Sequence, residues 1–264
     1  MEERESWRNR LFIHLPYPHL LTHWAEVEKE DFNLEICFFP EDLGLLREEE
    51  ARRRLITLLS SRRFTVHAPY EGIFPASNDP GERKRAFEIF RLLLERIADL
   101  RPEVIVFHPY YRRGGEGLAL DEWLKRSEEF WGRMATEVAE CGARIALENI
   151  YEEEPEPLRL LLDRLPEEEV GLCFDTGHFN AFSRASLSQW INAFGKRIFE
   201  LHLHDNHGAS DEHLGMGRGT FPFDELFLLL KENASSPFLT IEGKDEEAIR
   251  QSLEFLSRKR QILP

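Results

Sequence analysis

Residue types that bind metals recur at the ends of short apolar runs in this sequence. In GLCFDTGHFN an apolar run ends at Asp175, and His178 follows three positions later. Five further runs end in the same way, on His67, His108, Glu148, His202 and Glu242. The loop ASDEHLGMGRG adds Asp211 and His213. Independent structural residues have no reason to prefer the same end of successive strands, so we expect these side chains to form one site.

A cation would explain such a cluster. Several carboxylates held within a few ångströms repel one another and become protonated unless a positive ion compensates them. Imidazole and carboxylate ligands without cysteine suit Zn²⁺, Mn²⁺, Fe²⁺ or Co²⁺. The sequence therefore predicts a divalent metal site.

The remaining histidines are interpreted as structural or surface residues. His204 lies two residues after a predicted ligand and shares its face of the strand. We interpret His204 and His207 as structural residues, with a supporting role beside the ligands as the alternative. His14 ends the first strand and is left open, because a single histidine at a strand end is more often hydrogen-bonded than ligating. His19 and His23 are expected at the surface.

Eight short apolar runs are predicted to be strands. They are continuous rather than alternating, which is typical of strands buried on both faces of a parallel sheet. Their ranges are about 11–16, 34–39, 64–68, 103–108, 144–149, 171–175, 199–204 and 238–242. Eight strands alternating with helices predict an α/β fold, a (β/α)8 barrel that occupies residues 1–264 as a single domain. An open doubly wound sheet is the alternative, although the GxGxxG loop common after its first strand is absent.

Helix signals occupy the segments between the strands. Asp79 and Pro80 provide an N-cap and a first-turn proline, and Glu82 would complete a capping box. Ser186 and Gln189 repeat the capping-box pattern. Further helices are predicted at about 42–59, 120–140, 156–165, 223–232 and 246–258 and, with the weakest pattern, at about 19–30. Four tryptophans fall on predicted helices and are expected to pack there: Trp24, Trp123, Trp131 and Trp190.

Composition and charge exclude several classes of protein. Hydrophobic residues make up 42% of the chain and charged residues 31%, as in ordinary globular proteins. No apolar run approaches the roughly 20 residues that a bilayer requires, and the charged start MEERESWRNR lacks a signal-peptide core, so a cytoplasmic location is expected. A formal net charge of -15 argues against a generally basic, nucleic-acid-binding surface. The three scattered cysteines are expected to be reduced.

Six motifs of the chain resemble those of a known superfamily. FTVHAPY, VIVFHPY, IALEN, CFDTGH, HLHDNHG with DEHLGMGRG, and LTIEG are similar to the strand-end motifs of xylose isomerase-like TIM barrels. This superfamily includes sugar and sugar-phosphate isomerases and epimerases, together with AP endonucleases of the endonuclease IV type, AP endonuclease family 2. The resemblance covers about residues 60–245 and is stronger for the superfamily than for any one activity.

In the isomerase and epimerase branch, the resemblance implies a single divalent metal that chelates neighbouring sugar oxygens. Its ligands would be Glu148, Asp175, His202 and Glu242. Glu148 and Glu242 would also be catalytic, facing each other across the substrate. One glutamate removes a proton beside the carbonyl, and the other or the same one returns it, while the metal stabilises the enediolate.

In endonuclease IV, nine ligands hold three zinc ions, and the resemblance implies a candidate for each ligand. The first ion would be held by His67, His108 and Glu148, the second by Glu148, Asp175, His202 and Glu242, and the third by His178, Asp211 and His213. A bridging hydroxide would attack a phosphodiester 5′ to an abasic site. Three departures weaken this interpretation: the loop FFPEDLGLL is acidic where the endonuclease is basic, LFIHLPYPHL replaces its glycine-containing first-strand motif, and EHLGMGRGTFPF is closer to sugar isomerase-like members.

Basic residues near the strand ends are candidates for substrate binding. Arg112 and Arg113 follow the fourth strand and could hold a phosphate or carboxylate by bidentate hydrogen bonds, with a solvated turn as the alternative. Arg218 and Lys244 are further candidates at the same rim. The acidic run 152–156 is interpreted as a solvated helix start.

These patterns favour a divalent-metal-dependent isomerase or epimerase of a small sugar or sugar phosphate, with Zn²⁺ or Mn²⁺ as one to three bound ions. The alternative is an endonuclease IV-like zinc-dependent AP endonuclease or another phosphoester hydrolase, and only then would nucleic acid be a partner. A barrel that has lost catalysis and only binds a metabolite is a third interpretation, which the complete set of ligand types argues against. No membrane partner is expected.

Overall fold

Eight parallel strands form a closed barrel in the computed structural model, which describes residues 7–29, 32–60, 62–111 and 119–264. The strands are β1 Leu11–Pro16, β2 Asn33–Cys37, β3 Phe64–His67, β4 Val104–Phe107, β5 Arg144–Glu148, β6 Val170–Asp175, β7 Ile198–Leu203 and β8 Phe238–Ile241. Each strand pairs with the next along the chain, and β8 pairs with β1. The (β/α)8 barrel is therefore confirmed, and the open sheet is wrong.

Helices cover the outside of the barrel. They are α1 Tyr17–Thr22, α2 Trp24–Lys29, α3 Asp42–Leu45, α4 Glu49–Leu59, α5 Pro80–Ile97, α6 Leu120–Glu140, α7 Glu156–Leu162, α8 Thr176–Phe182, α9 Leu187–Phe194, α10 Phe223–Glu232 and α11 Glu246–Lys259. Trp123, Trp131 and Trp190 are fully buried, as expected of packing residues. None of the helices in the described part of the chain is long and apolar enough to cross a bilayer.

Three helix predictions need correction. The segment predicted as one helix at 42–59 is two helices, because Glu48 has an extended backbone and begins a second helix. At the start of α5, Asp79 accepts a hydrogen bond from the Gly81 N–H, but Glu82 bonds the Ser77 hydroxyl, so no capping box forms. The short helix α8 was not predicted. The capping box of Ser186 and Gln189 is present.

The barrel interior is built in layers, because alternate residues of each strand point inward. Near the amino ends of the strands the interior is apolar and includes Phe12, Val104 and Phe238. The next layer is polar and fully buried, and consists of Glu35, Thr65, Glu200 and Thr240. Hydrogen bonds across the barrel join these four side chains to one another.

The layer above the polar one forms the carboxyl rim of the barrel. Two residues beyond the polar layer on the same four strands stand Cys37, His67, His202 and Glu242. The two-residue period of a strand therefore aims all four side chains into the same space. This is the face on which (β/α)8 enzymes carry their active sites.

Candidate metal centre

The carboxyl rim brings the predicted strand-end ligands together. His67, Glu148 and Asp175 are the last residues of their strands, and His202 is the last but one of β7. His108 and Glu242 directly follow β4 and β8. All six are almost completely buried, although none of these residue types is usually buried without a partner.

His202 lies at the centre of three carboxylates. Its Nδ1 is 3.1 Å from Glu242 Oε1, 3.6 Å from Glu148 Oε2 and 3.8 Å from Asp175 Oδ2. This nitrogen is buried and has no aligned hydrogen-bond partner among the described residues. A buried nitrogen left unpaired among carboxylates is costly, and a divalent cation between them would remove that cost. The four residues fit a metal site.

His67 and His108 converge on the other side of Glu148. Glu148 Oε2 lies 3.2 Å from His67 Nε2 and 3.1 Å from His108 Nε2, and the two nitrogens are 3.1 Å apart. Ligand atoms of a tetrahedral zinc ion with bonds of about 2.0 Å stand about 3.3 Å from one another. This triangle therefore has the dimensions of one face of a zinc site.

A third group lies nearer the solvent. Asp211 Oδ2 is 2.9 Å from His213 Nε2 and 3.4 Å from His178 Nε2. The other ring nitrogen of His178 lies 3.0 Å from Glu148 Oε1, which links this group to the buried one. The nine predicted ligands are thus contiguous, as their positions in the sequence suggested.

Several residues of the cluster were not predicted. Glu35 was missed, although a glutamate inside the apolar run LEICFF is itself a signal, because charged residues are seldom buried alone. His14, left open above, lies 3.0 Å from Glu242 Oε1 and 2.7 Å from Glu35 Oε1. His204 contacts Asp175 Oδ2 at 2.9 Å and stacks on His213 with ring centroids 3.9 Å apart, as a supporting residue would.

Neighbouring charges set the protonation of the buried carboxylates. Burial alone would raise the pKa of Glu148, but His108 and His202 lower it well below its usual range. The pKa of Glu242 is likewise low, because His14 and His202 outweigh the effect of burial. Against burial, His202 and His14 lower the pKa of Glu35 to about 2, whereas burial and the charge of Glu35 raise that of Glu200 to about 8. At neutral pH only Glu200 of these four is protonated.

The two predicted substrate-binding residues that the structure describes, Arg218 and Lys244, lie outside this cluster. Arg112 and Arg113 fall outside the described residues. Arg218 and Lys244 have exposed side chains, and the Lys244 N–H donates to the His213 carbonyl at 3.1 Å. The interpretation of residues 152–156 as solvated is wrong for Glu152, which is buried.

The Glu152 carboxylate is held by the loop that follows β5. It accepts a hydrogen bond from the Ile150 N–H at 2.6 Å. Burial raises the pKa of this carboxyl to about 7. The sequence did not indicate this burial, because it results from the tertiary packing of the loop.

The xylose isomerase-like TIM barrel family model matches residues 34–259, and the chain belongs to this family. An uncharacterized protein of Methanocaldococcus jannaschii is 30% identical over 208 residues, which are 74% of this chain and 71% of that protein.

Two solved structures share the fold over almost the whole chain. A D-tagatose 3-epimerase-like protein is 25% identical with a TM-score of 0.80, covering 96% of this chain and 97% of its own. A Thermus thermophilus protein whose crystals were soaked with ZnCl2 is 25% identical with a TM-score of 0.77, covering 94% and 97%. Sugar epimerases are thus among the structural neighbours of this barrel.

Proposed function

We propose that the protein is a divalent-metal-dependent isomerase or epimerase of a small sugar or sugar phosphate. The observation that carries the proposal is the buried Nδ1 of His202, which lies among the carboxylates of Glu148, Asp175 and Glu242 and has no hydrogen-bond partner in the described part of the chain. The likeness to a D-tagatose 3-epimerase-like protein supports this class of substrate. Zn²⁺ or Mn²⁺ suits these ligands.

His202 and the three carboxylates around its Nδ1 would hold the ion. When bound, a divalent cation supplies a Lewis acid that stabilises negative charge on substrate oxygens. As ligands of the ion, Glu148 and Glu242 would both be ionised, because the positive charge favours the carboxylate form. Either can therefore accept a proton from a carbon beside a carbonyl, and the carboxylic acid so formed can return it. The rim residues Arg218 and Lys244, with Arg112 and Arg113, would bind a substrate phosphate or carboxylate.

Solvent exchange tests the proposal directly. The metal-loaded protein is incubated in D₂O with a panel of ketoses and ketose phosphates, and loss of carbon-bound protons is followed by ¹H NMR. We expect exchange with at least one sugar, and a decrease of about 10²- to 10⁴-fold in Glu148→Gln and Glu242→Gln. Glu153→Gln, in the loop after β5, is the control and should exchange normally. A panel without exchange in the metal-loaded protein would rule out the isomerase.

One observation favours a second candidate, a zinc-dependent AP endonuclease or other phosphoester hydrolase. The triangle of His67, His108 and Glu148 and the group of His178, Asp211 and His213 supply more ligands than a single ion requires. Against it, a chain with a net charge of -15 is poorly suited to bind a polyanion. Incision of an abasic-site duplex at low salt that disappears in Glu148→Gln would establish the hydrolase in place of the isomerase.

A further inference from the structure

Glu35 is a buried carboxylate that lies one layer below the proposed metal ligands. It stands in the middle of β2 and is completely inaccessible to solvent. A charge in the interior of a barrel must be compensated by hydrogen bonds or by opposite charge. The partners of Glu35 therefore indicate what this residue does.

Besides the Thr65 hydroxyl, those partners are two histidines of the rim. Glu35 Oε1 lies 2.7 Å from His14 Nδ1, and both Glu35 oxygens lie 3.3 Å from His202 Nε2. The same two histidines contact Glu242 Oε1, His14 at 3.0 Å and His202 at 3.1 Å. Glu35, His14, Glu242 and His202 thus form a closed ring that joins β1, β2, β7 and β8.

The contact of Glu35 with His202 selects a tautomer. A neutral imidazole carries one N–H, and a carboxylate accepts hydrogen bonds but donates none when ionised. A bound ion requires a neutral His202, and in that form Nε2 must donate to Glu35, which leaves the lone pair on Nδ1. Nδ1 lies 3.1 Å from Glu242 Oε1, 3.6 Å from Glu148 Oε2 and 3.8 Å from Asp175 Oδ2, so a cation bound by all four residues would lie on this side of the ring.

We propose that Glu35 is a positioning residue for the metal centre. It holds His202 in the tautomer and orientation that bind the ion, and through His14 it restrains Glu242. The inference rests on the proposed function, because it assumes that the ion is bound by His202 and its neighbours. Carboxylates that orient a ligating histidine typically contribute 10- to 100-fold to metal affinity.

The barrel itself offers a matched control. Glu200 lies in the same buried layer as Glu35 and is equally inaccessible. Its Oε1 accepts hydrogen bonds from the hydroxyls of Thr65 and Thr240 instead of from the rim histidines. A change that only disturbs packing in this layer should therefore affect Glu35 and Glu200 variants alike, whereas loss of histidine positioning should affect Glu35 variants alone.

The test compares metal binding by the purified full-length protein, Glu35→Gln and Glu200→Gln. Zn²⁺ affinity is measured by competition with a chromophoric chelator, and the site geometry by the visible absorption of bound Co²⁺. We expect Glu35→Gln to bind Zn²⁺ about 10- to 100-fold more weakly than the wild type and to alter the Co²⁺ spectrum. Glu200→Gln should match the wild type in both measurements. Glu35→Asp keeps the charge but not the reach, so it should also bind weakly, and it replaces Glu35→Gln if that variant does not fold.

The results distinguish failure of the inference about Glu35 from failure of the proposed function. Wild-type affinity in the Glu35 variants, or equal losses in the Glu35 and Glu200 variants, would overturn the inference and leave the metal site standing. A wild-type protein that binds neither Zn²⁺ nor Co²⁺ would overturn the proposed function together with the inference.

Discussion

Acidic residues inside this barrel differ in protonation according to the side chains that they contact. Glu35 and Glu200 are buried in one layer, yet only Glu35 contacts histidines, and its pKa falls to about 2 while that of Glu200 rises to about 8. Burial is common to both, so the neighbouring imidazoles decide the difference. A polar layer under a metal site can therefore contain one charged and one neutral carboxyl group.

Glu152 allows a test of such a shift at a residue that is not itself a proposed ligand. Burial raises the pKa of this carboxyl from 4.5 to about 7. The folded-state pKa lies above the unfolded value, so the stabilisation from this group is complete below the unfolded pKa and is lost as the pH rises through about 7. In Glu152→Gln we expect this loss to disappear, so that the variant exceeds the wild type in free energy of unfolding by about 2–3 kcal/mol at pH 8.

The measurement is urea unfolding of the wild type and Glu152→Gln at pH 5 and at pH 8. Exposed Glu168→Gln is the control and should follow the wild type at both values. A difference between wild type and Glu152→Gln that is the same at both pH values would contradict the assigned pKa shift.

At the scale of single elements, α8 shows how the last residue of a strand can both cap a helix and face the site. Asp175 caps this helix by accepting a hydrogen bond from the His178 N–H at 2.6 Å, so one carboxylate both begins the helix and faces the site. An aspartate is a common N-cap for a helix such as TGHFNAF. Seven residues, however, show too little apolar periodicity for this helix to be predicted from the sequence. The eight strands were predicted because each is a continuous apolar run of adequate length.

Gly177 in α8 makes a close approach that no other residue type could make. A Cβ at this position would lie 2.0 Å from His204 Cε1 and 2.4 Å from His204 Nδ1. We expect Gly177→Ala to displace the His204 ring and to lower the free energy of unfolding by about 1–3 kcal/mol. Thermal or urea unfolding measures this change.

Gly132→Ala in α6 is the matched control. A Cβ there would meet nothing within 4 Å, so alanine should be neutral or should stabilise the helix by up to about 1 kcal/mol. Equal stabilities for Gly177→Ala and the wild type would show that His204 is free to move away, in contradiction to its buried contact with Asp175.

At the scale of the whole molecule, closure of the barrel concentrates acidic and imidazole groups that would otherwise be dispersed. The proposed ion should therefore stabilise the folded state, since only the folded chain assembles its ligands. After chelator treatment, we expect ZnCl2 at about 100 times Kd to raise Tm by about 5–10 °C, as measured by differential scanning calorimetry. The double variant Asp175→Asn with Glu242→Gln should lose this response. A wild-type Tm that is independent of zinc would count against the metal site.

Much of the site was predictable because it follows from local rules. The residue at the end of each apolar run identifies a ligand type, and a parallel barrel places all those ends on one face. His14 and Glu35 were not predicted as part of the site. The two-residue period of a strand indicates on which face of the sheet a side chain lies, but not which residues of other strands it contacts. The two-residue spacing of His204 from His202 correctly indicated only that both side chains lie on the same face of the strand.

The sequence by itself determined the barrel, its eight strands and the set of side chains at its rim, because apolar runs, caps and strand ends are properties of neighbouring residues. Only the tertiary structure decided which of these side chains meet. Glu35 and His202 are 167 positions apart, and they come into contact because the barrel closes with one particular register. That closure also decides the burial and the charge of Glu35, Glu152 and Glu200. Residues far away in the chain exclude water from these carboxyl groups and place charges beside them.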